Sequence, residues 1–247
     1  KIMKKEFITI GEAAKMLNVN IMTLRRWDKA GKLKSTRFTP KGYRFYNLEE
    51  IELLLKNIFI IAKKWVMEKD PEIPDSEYYC SDIQTFNSRL NVLEKYLQSI
   101  KGLERDFSLI TSIVGEIGNN SFDHNLGQWP DIRGIIFAYD LNKREVILAD
   151  RGQGILTTLK KIKPELSNDV DALLVAFTEK ISGRAPENRG NGLKYVRKVI
   201  TDVKKSISIK LYFHSGEAAL NLKNNDKSLN IFIPDFSFRG CLAYINF

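Results

Sequence analysis

The residues of this chain whose types and spacing bear most directly on chemistry lie in IVGEIGNNSFDHN, residues 113–125. In a helix Glu116, Asn120 and Asp123 stand at i, i+4 and i+7, with His124 one step further, so two acids and an amide share one face. Ile110, Ile113, Val114 and Ile117 fall on another face. The apolar side suits a core, and the polar side offers hard oxygen donors that can hold a divalent cation and orient a water. Taken alone, the same stripe also describes a solvated helix surface.

Two glycine-bearing stretches lie downstream. Ile135–Tyr139 and Glu145–Ala149 read as strands joined by a turn over 140–144, and the second delivers Asp150 into DRGQG. Gly152 and Gly154 there allow backbone to come close to a ligand. Further on, Gly183 lies in SGRAPENRG, and Gly190-Asn191-Gly192-Leu193 opens a helix through Val196, Val199 and Ile200. The free amides at such a helix start favour phosphate. Each stretch by itself is common.

In this order the three motifs, helix with Glu116 and Asn120, strand ending in Asp150-x-Gly152-x-Gly154, and Gly190-x-Gly192 opening a helix, resemble the GHKL ATPase fold of gyrase, the heat-shock chaperone, mismatch-repair ATPases and histidine kinases. The resemblance covers residues 106–247, where SISIKLYF, GEAALNLK, SLNIFI and RGCLAYINF supply the remaining strands. It implies a two-layer α/β sandwich with ATP and magnesium as cofactors. Asn120 is then the magnesium ligand, and Asp150 accepts from the adenine amino group. Asp123 and Leu193 join the nucleotide-binding set, Gly152 and Gly154 pass the nucleotide, and Gly190 and Gly192 receive the phosphates. Residues 155–189 are expected to form a flexible lid, with Lys180, Arg184 and Arg189 as unranked candidates for the terminal phosphate. Glu116 stands where hydrolysing members of the family keep the glutamate that activates water. No following domain supplies a lysine to the terminal phosphate, which makes hydrolysis slow or partner-dependent, and no helical hairpin carries an acceptor histidine. His124 suits a helix surface or a phosphate contact, and His214 sits in a strand pattern.

Composition sets the class. The chain has 247 residues, 43% hydrophobic and 28% charged, enough for one large domain or two. Its longest apolar run, Ile58 to Ala62, is far short of the roughly 20 residues that span a bilayer, and no signal-peptide pattern is legible at its start. No membrane partner is therefore expected, and the expected location is cytoplasmic. Cys80 and Cys241 are far apart, and neither they nor the two histidines show zinc-ligand spacing. The net charge of +9 is local: residues 1–48 hold twelve Lys/Arg against Glu6, Glu12 and Asp28, leaving 27 of each sign in residues 49–247. A basic module on a neutral body points to nucleic acid.

Within that module, Thr9 can cap a helix repeating Ile10, Ala13, Ala14 and Leu17. Asn20 can cap a second, 21–30, with Leu24 and Trp27 inward and Thr23, Arg25, Arg26 and Lys29 mainly outward; Gly31 ends it. KLKSTRFTPKGYRFY alternates basic and aromatic residues around Pro-Lys-Gly, a hairpin or wing pattern. Arg37, Lys41 and Arg44 are then expected on phosphates, with Phe38, Tyr43 and Phe45 packing the wing onto the helices. IGEAAKMLNVNIMTLRRWDKAGKL and TPKGYRFY resemble the winged helix-turn-helix of the MerR and excisionase group. That resemblance implies double-stranded DNA as a partner, contacted through Thr23, Arg25, Arg26, Arg37, Tyr43 and Arg44.

Asn47 can cap a third helix whose stripe, Ile51, Leu54, Leu55, Ile58, Ile61, Ala62 and Trp65, is suited equally to a homodimer and to the chain's own body. DPEIPDSEYYCS marks a break, and a packing helix follows over 82–100. The expected fold is therefore α+β: a winged helix-turn-helix over 1–48, a helical connector over 49–105 and a GHKL-type domain over 106–247. The function expected is a nucleotide-responsive, DNA-binding transcription regulator. An anti-sigma-type serine/threonine kinase acting on a protein partner and a non-hydrolysing interaction module stand as alternatives.

Overall fold

The computed structural model describes residues 6–17, 19–39, 42–55, 57–180, 192–202 and 207–247. The chain divides into two compact units, residues 1–64 and 65–247. The residues expected to form a connector are shared between them, since the long helix 83–99 falls in the second unit.

In the first unit a strand, β1 (Phe7–Thr9), leads into helix α1 (Ile10–Met16), and a second helix, α2 (Ile21–Lys29), follows. Both helix starts are written in their first residues. The Thr9 hydroxyl accepts from the Glu12 amide while the Glu12 carboxylate accepts from the Thr9 amide, a reciprocal capping box. Asn20 Oδ1 accepts from the Thr23 amide at 2.7 Å. Gly31, at φ 72°, takes the chain out of α2. Strand β2 (Phe45–Asn47) pairs antiparallel with β1. Ile8, Ala13, Leu17, Leu24, Leu33, Tyr46 and Ile51 form a closed small core.

One helix was expected from Leu48 to Trp65, and two are present, α3 (Leu48–Leu55) and α4 (Ile58–Met67). The reason is a second capping residue within the apolar run. Asn57 Oδ1 accepts from the Phe59 amide at 2.9 Å, which starts a new helix, as Asn47 does for α3 at Glu49.

The second unit is built on a seven-stranded antiparallel sheet, ordered β3-β4-β5-β9-β6-β7-β8. Its strands are β3 (Tyr79–Cys80), β4 (Ile135–Asp140), β5 (Glu145–Asp150), β6 (Lys210–Gly216), β7 (Ala218–Leu222), β8 (Asn230–Phe232) and β9 (Phe238–Asn246). Strand alternation sends Phe137, Leu148, Ala243, Phe213 and Leu220 to one face, where they meet the apolar stripes of three helices. These are α5 (Ile83–Ser99), α6 (Phe107–Asn125) and α9 (Gly192–Thr201). On α6 the buried set includes Ile110, Ile113, Val114 and Ile117, so the polar stripe with Glu116 and Asn120 lies on the helix's other side.

Of the stretch expected as a lid from 155 to 189, the described part, 155–180, is largely folded. It holds helices α7 (Gly154–Lys160) and α8 (Asp169–Thr178), and Leu159, Leu166, Ala172 and Val175 bury one another. Asn168 caps α8 through the Asp171 amide at 2.9 Å. The expectation overlooked two short amphipathic segments, each carrying enough apolar surface to pack.

Candidate functional site

Antiparallel pairing of β5 with β9 puts Asp150 opposite Cys241, and α6 crosses above the end of that pair. Asp150 is 2% exposed. Its carboxylate accepts from the Ser121 hydroxyl at 2.7 Å, the Gly152 amide at 2.8 Å and the Cys241 amide at 3.3 Å. Burial raises its pKa to about 6 against the lowering effect of those three donors. A carboxylate held this way is an acceptor with fixed geometry and little competing water.

Around it lies a cavity of about 50 Å³, partly open to solvent, lined by Ile117, Asn120, Ser121, His124, Asp150, Gly154, Ile155, Leu193 and Cys241 among others. Asn120, Asp150, Gly154 and Leu193, drawn from four elements, thus share one cavity. Gly154 adopts φ 76° as α7 begins. Gly152 presses against Asn125, whose Oδ1 accepts from the Gln153 amide at 2.8 Å. The first residue of α9 completes the arrangement. A Cβ on Gly192 would lie 2.9 Å from Asn120 Nδ2 and 3.0 Å from Glu116 Oε2, so the helix begins directly against both polar side chains. A side chain there would push the ends of both residues aside.

Asp123 is half-buried on α6 and is not among the pocket's lining residues. Lys180 is exposed beyond the end of α8 and lines no part of it. Arg184, Arg189 and Gly190 lie outside the described residues. Ser121 and Cys241 have no counterpart in the sequence reading: serine carries no motif signal, and Cys241 arrives through strand register from 91 positions away. Among the described residues no group of three or more His, Cys, Asp or Glu could hold a metal ion.

The first unit presents a second candidate surface. On α2, Arg25 and Arg26 are exposed, and Thr23 is half-buried with its hydroxyl on Asn20 Oδ1 at 3.0 Å. Beyond α2, Thr36 and Phe45 pair as an antiparallel bridge that closes the base of the wing; Pro40 and Lys41 lie outside the described residues. Phe38 meets Phe7 edge-on and Phe45 at a tilt, with centroids 5.4 and 5.2 Å away. Arg37 is exposed.

Two wing residues differ from expectation. Tyr43 is 85% exposed and so does not pack the wing, a role Tyr46 takes by burying its ring and directing its hydroxyl to the Leu24 carbonyl. Arg44 is not held out for phosphate: its Nε lies 2.8 Å from Asp28 Oδ2, and the same carboxylate accepts from the Ser35 amide and hydroxyl. Desolvation raises the Asp28 pKa, but the Ser35 and Arg44 hydrogen bonds outweigh it and hold the value at about 2. This network ties the wing to α2. A carboxyl with a depressed folded pKa contributes stability above its ordinary value near 3.8, and that contribution disappears as pH falls toward 2. Arg44→Ala is accordingly expected to cost the first unit about 1–2 kcal/mol at pH 7. The difference from the parent should shrink in acid unfolding followed by Trp27 fluorescence.

A helix pair, a capping box and a wing pinned back to the second helix are together what comparison with known families bears on. Residues 9–46 match the MerR family regulatory protein model. Residues 9–46 thus form a MerR-family helix-turn-helix domain, which suggests a DNA-binding regulator. The chain is also similar to a type II methyltransferase, M.Eco47II of Escherichia coli, with 41% identity over 63 residues. That stretch is 26% of this chain and 15% of the methyltransferase. Among the described residues no helix is long and apolar enough to cross a membrane.

Proposed function

We propose that this chain is a DNA-binding transcription regulator whose body is a GHKL-type module for ATP and magnesium, and whose nucleotide state sets the DNA affinity of the MerR-like head. The observation that carries the body's reading is the buried Asp150 carboxylate at the floor of a pocket where α9 begins against Glu116 and Asn120. A fixed carboxylate acceptor matches an exocyclic amine, and a helix start favours phosphate. Asn120 would hold magnesium through its amide oxygen, and the ion supplies neutralisation of phosphate charge. Glu116, which faces the same helix start, would take a proton from a water or a hydroxyl that attacks the terminal phosphate.

On the head, Arg25, Arg26 and Arg37 provide exposed cations for the duplex. Arg25→Ala and Arg26→Ala should each weaken DNA binding and lower the salt slope by about one. The coupling is tested by fluorescence anisotropy on DNA with and without ATP and magnesium, alongside calorimetry of nucleotide binding. A change of at least about fivefold in DNA affinity is expected, and equal affinities with a saturated pocket overturn the coupling. Calorimetry showing no nucleotide binding overturns the body's reading itself.

A further inference from the structure

Asp150 and its neighbour Arg151 point to opposite faces of the sheet. Asp150 shares the face of Val146 and Leu148, which belongs to the helix-covered core. Arg151 alternates to the other face and is 6% exposed there. Its Nη1 donates to the carbonyls of Trp65 at 2.7 Å and Val66 at 3.0 Å, both in the last turn of α4. Its Nε and Nη2 reach Asp131 Oδ2 at 3.1 and 2.8 Å. Arg239 adds a third bond to that carboxylate oxygen, at 2.6 Å. The carbonyls at a helix end lack partners within the helix, so a guanidinium on two of them both caps α4 and answers its dipole. Asp131 neutralises the buried charge, which would otherwise be costly.

Two short segments therefore serve both the pocket and this cap. Residues 150–152 give Asp150 and the Gly152 amide to the pocket floor and Arg151 to α4. Residues 239–241 give Arg239 to Asp131 and the Cys241 amide to Asp150. Gly240 lies so close to the Asp150 carbonyl that an added Cβ would fall on it, so the two segments are in tight backbone contact.

We propose that Arg151 is a positioning residue that transmits occupancy of the Asp150 pocket to the C-terminal turn of α4, the helix through which the chain runs back to its head. The proposal rests on the nucleotide reading above and names its route. A ligand that pulls on Asp150 displaces the Arg151 peptide, and the bonds to Trp65 and Val66 loosen or tighten with it. The head then senses nucleotide through the end of α4, with no ligand contact of its own.

The test is hydrogen exchange of peptides covering residues 58–70 in the full chain, with and without ATP and magnesium, together with calorimetry. In the parent, nucleotide should change exchange at the α4 end at least about threefold. In Arg151→Met, which keeps the bulk of the side chain and removes the donors, nucleotide affinity should stay within about threefold while the exchange response disappears. Asp131→Asn leaves Arg151 in place but uncompensated, and it should reduce the response by half or more; it serves if Arg151→Met does not fold. An undiminished response in these variants overturns the relay while leaving the nucleotide site standing. Absence of nucleotide binding to the parent chain overturns both, and calorimetry separates the two failures.

Discussion

On the nucleotide site proposed above, Asp150→Asn should weaken nucleotide binding at least about a hundredfold and leave the body more stable than the parent at pH 8. The two effects come from one cause. Asp150 is 2% exposed and its pKa is raised to about 6, so the fold prefers the protonated acid and bears a cost when it ionises. For a group raised in the folded state, the stabilising contribution is complete below the ordinary pKa of 3.8 and is lost as pH rises through about 6. At pH 8 the parent therefore carries a penalty of at most about 3 kcal/mol, the free-energy equivalent of that shift. Asparagine carries no charge at any pH. Its oxygen can accept from the Gly152 and Cys241 amides as the carboxylate does, and its NH₂ can donate to the Ser121 hydroxyl, which reverses its role.

On the proposed reading, an adenine entering the pocket would meet the opposite situation, because an amide donor would face its exocyclic amine. An unpaired donor buried on each side should cost at least about 3 kcal/mol, or a hundredfold in affinity. Urea unfolding at pH 4.5 and pH 8 and calorimetry at pH 8 check both halves. The variant's advantage should grow by about 1–3 kcal/mol between the two pH values, and the parent's nucleotide affinity should fall as pH drops below about 6. A variant that loses more stability at pH 8 than at pH 4.5 would show that Asp150 is an ordinary structural carboxylate rather than a strained acceptor.

What the chain makes legible in one dimension is local. The two faces of α6, the caps at Thr9, Asn20 and Asn47 and the strands β4 and β5 with the turn between them all follow from residues close to one another in the chain. What stays hidden depends on register. Cys241 reaches Asp150 because β9 pairs with β5 in one alignment, and nothing near position 241 signals it. Arg44 looks like a phosphate arm until the wing folds back onto Asp28, sixteen residues earlier. Tyr43 and Tyr46 differ by three positions in an aromatic-basic run, and only the bridge at Phe45 decides which ring is buried. Arg151 was within reach of sequence reasoning: a strand that sends Asp150 inward must send its neighbour to the other face, where a buried arginine requires partners. The motif pattern, which leaves that position blank, concealed it.

Gly240→Ala should cost the body more than about 4 kcal/mol and, on the proposed reading, remove nucleotide binding with it. Gly240 has φ 107°, and a Cβ there would fall on the Asp150 carbonyl oxygen and come within 3.0 Å of the Arg151 Cα. Neither neighbour can yield cheaply. β5 and β9 are paired continuously from Glu145 to Asp150, and β6 holds β9 from the other side. Relief would have to open the ladder at its pocket end, breaking the Cys241 to Asp150 bond and moving Arg239 from Asp131. Gly102→Ala separates the two contributions. Gly102 also has a positive φ, 88°, but has nothing within 4 Å of an added Cβ, so its substitution carries backbone strain alone, about 1–2 kcal/mol. Urea unfolding of both variants, with calorimetry of nucleotide binding, distinguishes strain from close approach. Equal losses in the two would mean that tight backbone contact between 150–151 and 240 contributes nothing. In that case the coupling of pocket floor to α4 would lose its mechanical basis, since the two segments could then move past one another.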